Sequence, residues 1–293
     1  DWIVLGAGRS IDFPGGLNTR PIDVQGFTGT ILGVISGGGN LIKQGTGTLI
    51  LAGASTYSGQ TVITAGTLLA QNTSGSATGA GEVIVQAGAT LGGNGSIAGQ
   101  VSVEPGGLVA PGTSPGVIGV GPAQFAPGST FDVEIEGTAN GQYDAVAADG
   151  AVDLTDSFLA LSGAYVPGPG DSFTILTATS ITGEFAGLPN GSQIIFNNRP
   201  MLLTYETDRV VLSFLANPFF NGADGDDDFD VQVVAGNLQV ILNGTTVLDA
   251  PVSLFNSLTL NGLGGNDTFD VLTSLGSLGR LNLRGDEGDD TFG

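Results

Sequence analysis

The sequence predicts an all-β chain wound as a β-solenoid with about 20–21 residues per coil and a less regular middle section. Three observations predict it. Helix signals are nearly absent, because no i, i+3, i+4 apolar pattern is sustained and Lys, Glu, Gln and Arg are scarce. Runs of three to six β-branched or apolar residues alternate instead with Gly, Asn, Asp, Ser or Thr turns, as in Thr48-Leu49-Ile50-Leu51 and Thr61-Val62-Ile63-Thr64. Those runs also recur at a shared period. One series carries an apolar residue just after a glycine turn at Leu49, Leu68, Leu91, Leu108 and Phe131. A second follows Ile42, Val62, Val83, Val101 and Val117.

Two interleaved series with one period mean that each coil holds at least two strands. A single coil is too small to bury its own apolar face, so stacking must close the core. A sandwich or barrel of short strands would show turns every 8–12 residues but no aligned ladder of this length. The 51 glycines fit coils that turn several times each. From residue 216 a third ladder appears, Asn221-Gly222, Asn243-Gly244, Asn261-Gly262 and Arg284-Gly285. It reads as a corner device, with Asn in a turn and its amide bonding between coils.

The expected organisation is a β-helix over 1–124, a continuation with longer coils and loops over 125–215, and an acidic solenoid over 216–293. The last of these stops inside a motif that is complete twice earlier, so the chain reads as a segment of something longer. Charge follows the same division. Residues 1–131 carry five acids and three bases, whereas 222–293 carry twelve acids and two bases.

Composition excludes several chemistries. Without Cys or His there is no disulfide framework, no zinc or haem site, and no His-based triad. A net charge of −21 with one lysine, Lys43, disfavours nucleic acid and anionic membrane surfaces, and no run of about 18 apolar residues offers direct membrane insertion. The metal class left open is oxygen-ligated: calcium, with magnesium second.

Enzyme activity is the rival class. Asp132, Glu134 and Glu136 fall on one strand face by period two and could supply a carboxylate pair for glycoside hydrolysis. Equally spaced acids on an exposed strand face are more often solvent-facing, and the bases Arg9, Arg20, Lys43, Arg199, Arg209, Arg280 and Arg284 are dispersed. Threonines such as Thr28, Thr30, Thr46 and Thr48 could suggest an ice-binding array, but they do not repeat in register over enough coils.

The segment Gly45-Thr46-Gly47-Thr48-Leu49-Ile50-Leu51-Ala52-Gly53, followed by Thr56-Tyr57-Ser58-Gly59-Gln60-Thr61 and Ala65-Gly66-Thr67-Leu68, resembles the autotransporter-associated β-strand repeat. The surroundings, including Gly88-Ala89-Thr90-Leu91-Gly92-Gly93-Asn94-Gly95 and Ala110-Pro111-Gly112-Thr113-Ser114-Pro115-Gly116, extend the resemblance over about residues 28–215. It implies a right-handed parallel β-helix in a large bacterial surface protein, exported to the extracellular side, and it does not imply an enzyme; the expectation is a non-enzymatic chain. Solenoid ends and strand edges need caps, and neither terminus offers an obvious one. More coils or contacts with further copies, end to end or laterally, are therefore expected; a glycan or cell-surface ligand is the adhesive alternative.

Three acidic stretches begin at Gly222, Gly262 and Gly285 and run to Asp230, Asp270 and Phe292. They resemble the repeats-in-toxin (hemolysin-type) calcium-binding nonapeptide, Gly-Gly-x-Gly-x-Asp-x-apolar-x. That resemblance implies calcium ligands at Asp227, Asp267 and Asp290, with Phe229, Phe269 and Phe292 stacked inside. Here one motif occurs per coil rather than back to back, and the coil at Asn243-Gly244 lacks an acidic loop. The candidate metal set therefore includes neighbours: Asp224, Asp226, Asp227, Asp228, Asp230, Asn266, Asp267, Asp270, Asp286, Asp289 and Asp290.

Overall fold

In-register parallel stacking organises the computed structural model, which describes residues 4–5, 9–13 and 19–293. Among these the only helical element is one 3-10 turn, Val252–Leu254. The chain divides into two units. The first comprises Asp1–Tyr165, Phe173–Gly191 and Thr204–Val211; the second comprises Val166–Ser172, Ser192–Leu203 and Leu212–Gly293. The stretch 125–215 contributes to both.

In the first unit, successive coils add one strand to each of several parallel sheets, as the sequence predicts for a solenoid. One sheet stacks Thr28–Ile31, Thr48–Leu51, Gly66–Ala70, Ala89–Gly93, Leu108–Pro111, Thr130–Glu134 and Phe158–Ser162. A second stacks Thr19–Asp23, Asn40–Gln44, Thr61–Ile63, Val83–Val85, Val101–Val103, Ala123–Phe125, Ala151–Asp153 and Ser180–Thr182. A third joins Ser96–Ile97, Val117–Val120 and Ala145–Ala148. The parallel coils thus continue past residue 125.

The core column is Leu49, Leu68, Leu91, Val109 and Phe131, each over the last and each buried. Pleat alternation places their neighbours outward. The sequence ladder assigns Leu108 to this column; the structure gives the inward place to Val109, one residue on. Val117 likewise lies in the third sheet and not beside Val101.

Corners are narrow. A Cβ at Gly81 would stand 2.0 Å from the Gly59 carbonyl oxygen, and one at Gly99 2.0 Å from that of Gly81. Gly59 itself meets Gly39 in the same way. One side chain breaks the apolar pattern. Lys43 is 0% exposed and stacks on Ile63, over Val85, Val103 and Phe125. Its Nζ donates to the carbonyls of Gln44 (3.2 Å), Gly45 (2.7 Å) and Ala65 (2.8 Å), so the ammonium closes turns of two consecutive coils.

The second unit pairs a parallel three-stranded sheet, Phe219–Asn221, Ser257–Asn261 and Arg280–Arg284, with a five-stranded one. In the latter, Asp228–Val234, Thr268–Val271 and Thr291–Phe292 run parallel. Asn237–Leu242 pairs antiparallel with the Asp228 strand, and Thr245–Pro251 pairs antiparallel with Asn237–Leu242 at the sheet edge. This corrects the sequence reading of Asn243-Gly244 as a coil corner. The true ladder is Asn221, Asn261 and Arg284, while Asn243-Gly244 turns a hairpin with both residues at positive φ, 50° and 74°. An Asn-Gly pair is suited to that turn, because both central residues must occupy the left-handed region.

Candidate functional site

The acidic candidates gather at one end of the five-stranded sheet, because parallel pairing lays equivalent loop residues over one another. Phe229, Phe269 and Phe292 form a stack with centroids 5.1 Å apart and planes within 6°. The first two are buried, whereas Phe292 is 55% exposed. The stack holds the preceding loops in register, with Asp224, Gly264 and Glu287 bridged in parallel.

Two side-chain ladders cross the loops. In the outer one, Asn266 N–H donates to Asp226 Oδ1 (2.7 Å) and Asp289 N–H to Asn266 Oδ1 (2.9 Å). In the inner one, Asp227 N–H donates to Asp267 Oδ1 (2.9 Å) and Asp267 N–H to Asp290 Oδ1 (3.0 Å). Asp227 is bonded through both oxygens, to the Ala223 N–H (2.6 Å) and to the Asn243 amide (2.6 Å). The hairpin asparagine thus stands where a further coil would place its backbone donor. Asp267 is 1% exposed, and its Oδ2 has no hydrogen-bond partner. That orphan oxygen lies over Gly262, where a Cβ would come within 1.8 Å.

A second convergence lies on the strands. Asp230 stands opposite Asp270, and one carboxylate oxygen from each of Asp228, Asp230 and Asp270 falls within 4.8 Å of the other two. Burial pushes the Asp230 carboxyl up, reinforced by the charges of Asp228 and Asp270. None of the three has an ion-pair partner among the described residues, where the two ion pairs join Arg209 to Glu206 and Asp208. This is an all-oxygen, hard donor set of the type calcium takes, and its charge lacks internal compensation. The chemistry fits a divalent cation. The inner-ladder aspartates fit less completely, since each commits at least one oxygen to a hydrogen bond. Asp224, Asp286 and Asp289 are exposed and take no part in the strand-face cluster.

The carboxylates considered for glycoside hydrolysis separate. Asp132 and Glu134 line a groove in the first unit, whereas Glu136 Oε1 accepts from the Ala164 N–H (2.9 Å). Their companion in the groove is Asp144, which the one-strand reading missed. Asp144 is 3% exposed and accepts from the Gly116 N–H (2.7 Å) and the Glu134 N–H (3.0 Å). Burial pushes its carboxyl up to about 6, with the charges of Glu134 and Asp132 adding to the rise. The folded chain therefore holds this proton more tightly than the unfolded chain. Its contribution to stability is present below about pH 4 and is lost as pH rises through about 6. The melting temperature of Asp144→Asn relative to the parent is the check: the variant should show a shallower fall between about pH 4 and pH 6. Parallel profiles would contradict this.

Residues 41–70 match the family model of the passenger-associated-transport-repeat. They include Lys43 and span the strands Thr48–Leu51, Thr61–Ile63 and Gly66–Ala70. The adhesin BmaC autotransporter of Brucella suis biovar 1 (strain 1330) is 40% identical over 84 residues, 29% of this chain and 2% of that protein. The extracellular serine protease of Serratia marcescens is 36% identical over 162 residues, 52% of this chain and 15% of that protein. The chain therefore spans a small part of either relative. Its location is extracellular, at the cell surface. With no histidine, the 293 residues cannot by themselves assemble a Ser-His-Asp triad.

Proposed function

We propose that this chain is a non-catalytic scaffold segment of a large bacterial surface protein, adhesive in role, whose C-terminal coils are stiffened by calcium. The observation that carries the scaffold reading is the unbroken core column from Leu49 to Phe131 around a passenger-type repeat. Such a column builds length from repeated, interchangeable layers. An adhesin among the relatives supports the adhesive role.

Calcium rests on two supports: the likeness to the hemolysin-type nonapeptide and the uncompensated trio Asp228, Asp230 and Asp270. These three residues would hold the ion. Asp267 Oδ2, buried without a donor, is a second oxygen that a cation would satisfy. A cation there removes like-charge repulsion across two strands and joins them, so loops left loose at low calcium would order outside the cell.

Hydrogen exchange read by mass spectrometry tests this on the whole chain. Peptides covering 224–230 and 262–270 should gain protection in millimolar calcium and lose it in chelator. At a hundredfold excess over Kd the gain is about 2.7 kcal/mol. The Asp228→Asn/Asp270→Asn variant should lose the calcium response. Equal exchange with and without chelator would remove calcium from the proposal and leave the scaffold standing. Turnover of acidic or neutral glycans by the purified chain would overturn the non-catalytic reading.

A further inference from the structure

A groove of about 340 Å³ lies on the solvent side of the first unit's first sheet. Its floor is apolar, formed by Leu69, Ala110 and Pro111. Gly92 keeps that floor open: a Cβ there would approach the Ala110 carbonyl oxygen to 2.4 Å and Leu69 Cδ2 to 3.2 Å. One side is the turn at Pro111–Ser114, in which Ser114, a non-glycine residue, holds φ at 91°. Asp132, Glu134 and Asp144 line the same groove, with Glu134 and Asp144 against that turn.

Two of the acids are positioned by hydrogen bonds. The Ser114 hydroxyl donates to Glu134 Oε2 (2.6 Å), and Asp132 stands beside Ser162 in the groove lining. Asp144 is fixed from behind by two backbone N–H groups. Around them stand the hydroxyl-bearing side chains of Thr67, Thr90 and Thr113. No Lys or Arg lines the groove among the described residues. A concave site with an apolar floor and a few oriented polar groups is the usual form of an organic-ligand site. Here every charge on its wall has one sign.

We propose that this groove binds the cationic side chain of a lysine or arginine from a partner polypeptide, the aliphatic stem on Leu69, Ala110 and Pro111 and the charged head at Asp132 and Glu134. The stem-and-head shape decides for such a side chain over a bare metal ion, because long basic side chains lay apolar methylenes on apolar surface and keep the charge at the rim. Hydrogen bonds between charged groups then supply orientation as well as attraction. The site is independent of the calcium reading, being in the other unit.

The probe is Nα-acetyl-lysine methylamide, titrated into whole chain carrying 13C-methyl threonine, at about 0.15 M salt to screen diffuse attraction. The Thr67, Thr90 and Thr113 methyl resonances should shift saturably. The neutral norleucine analogue should bind about tenfold more weakly, the factor that corresponds to one charge-assisted hydrogen bond. Asp132→Asn/Glu134→Gln should lose the lysine preference, whereas Asp149→Asn/Asp153→Asn, with the same change in net charge, should keep it. Thr90→Lys, a substitution on a solvent-facing position, places a tethered ammonium in the groove and should block the probe even if the double variant folds poorly. Equal binding of the norleucine analogue, shifts unaffected by both groove variants, or shifts produced by neutral oligosaccharide alone would each overturn the proposal.

Discussion

Gly81→Ala is expected to cost the first unit more than about 4 kcal/mol, enough to remove its cooperative melting transition. The reason lies in the corner where successive coils approach. The added Cβ would meet the Gly59 carbonyl oxygen at 2.0 Å and its carbon at 2.5 Å. Both are backbone atoms of the neighbouring coil, so no flexible side chain can swing away. Relief would require opening the inter-coil spacing near 4.8 Å, which breaks ladder bonds on either side. Gly88→Ala is the control. Gly88 has φ at +74° but nothing within 4 Å of an added Cβ, so it carries only the left-handed penalty of about 1–2 kcal/mol. Thermal melts of the two variants compare close approach with conformational strain directly. Equal losses would show that corner crowding does not limit the coil.

Lys43→Met is expected to cost about 3 kcal/mol or more, although methionine matches the stem and would make the column uniformly apolar. Burying an ammonium is unfavourable in itself, and desolvation lowers the Lys43 pKa despite the opposing charge of Asp23. What offsets this is three carbonyl acceptors at one nitrogen, drawn from the turn at Gln44 and Gly45 and from Ala65 in the next coil. Methionine leaves those carbonyls without the ammonium, and a buried acceptor that loses its donor costs more than the bond contributed. Replacing buried ion pairs with apolar residues can stabilise a protein, so the sign of this change is informative. A melting temperature equal to or above that of the parent would show that the lysine is not holding the coil.

The repeat was legible where side chains determine it locally. Leu49, Leu68, Leu91 and Phe131 align in sequence and in space because each follows a glycine turn and then alternates inward. Leu108-Val109 offers two apolar neighbours, and the pleat of the adjacent coil, not the sequence, selects Val109. The phenylalanine stack was legible for the same reason, since each residue follows its glycine loop at fixed spacing. Asn243-Gly244 shows how a period can mislead. Its distance from Asn221 suits a coil, but the flanking alternation and the Asn-Gly pair itself are hairpin chemistry, and the hairpin prevails. The groove was hardly legible, because Ser114, Asp132, Asp144 and Ser162 meet only through the stacking of distant coils. Asp132 and Glu134 were visible as a pair, without any indication of what stood across from them.

The column from Leu49 to Leu159 is held in register although the chain length between successive members varies from coil to coil. The extra residues leave at the corners, as in the turn around Gly141 between Phe131 and Leu159. Layers joined in this way are separable units of inheritance. A stretch of gene encoding one circuit could be duplicated or lost, and the flanking layers would meet across the same apolar column. Growth by copying would then change reach without requiring a new core, while novelty collects at the corners, where the groove's wall at Pro111–Ser114 already differs from its neighbours.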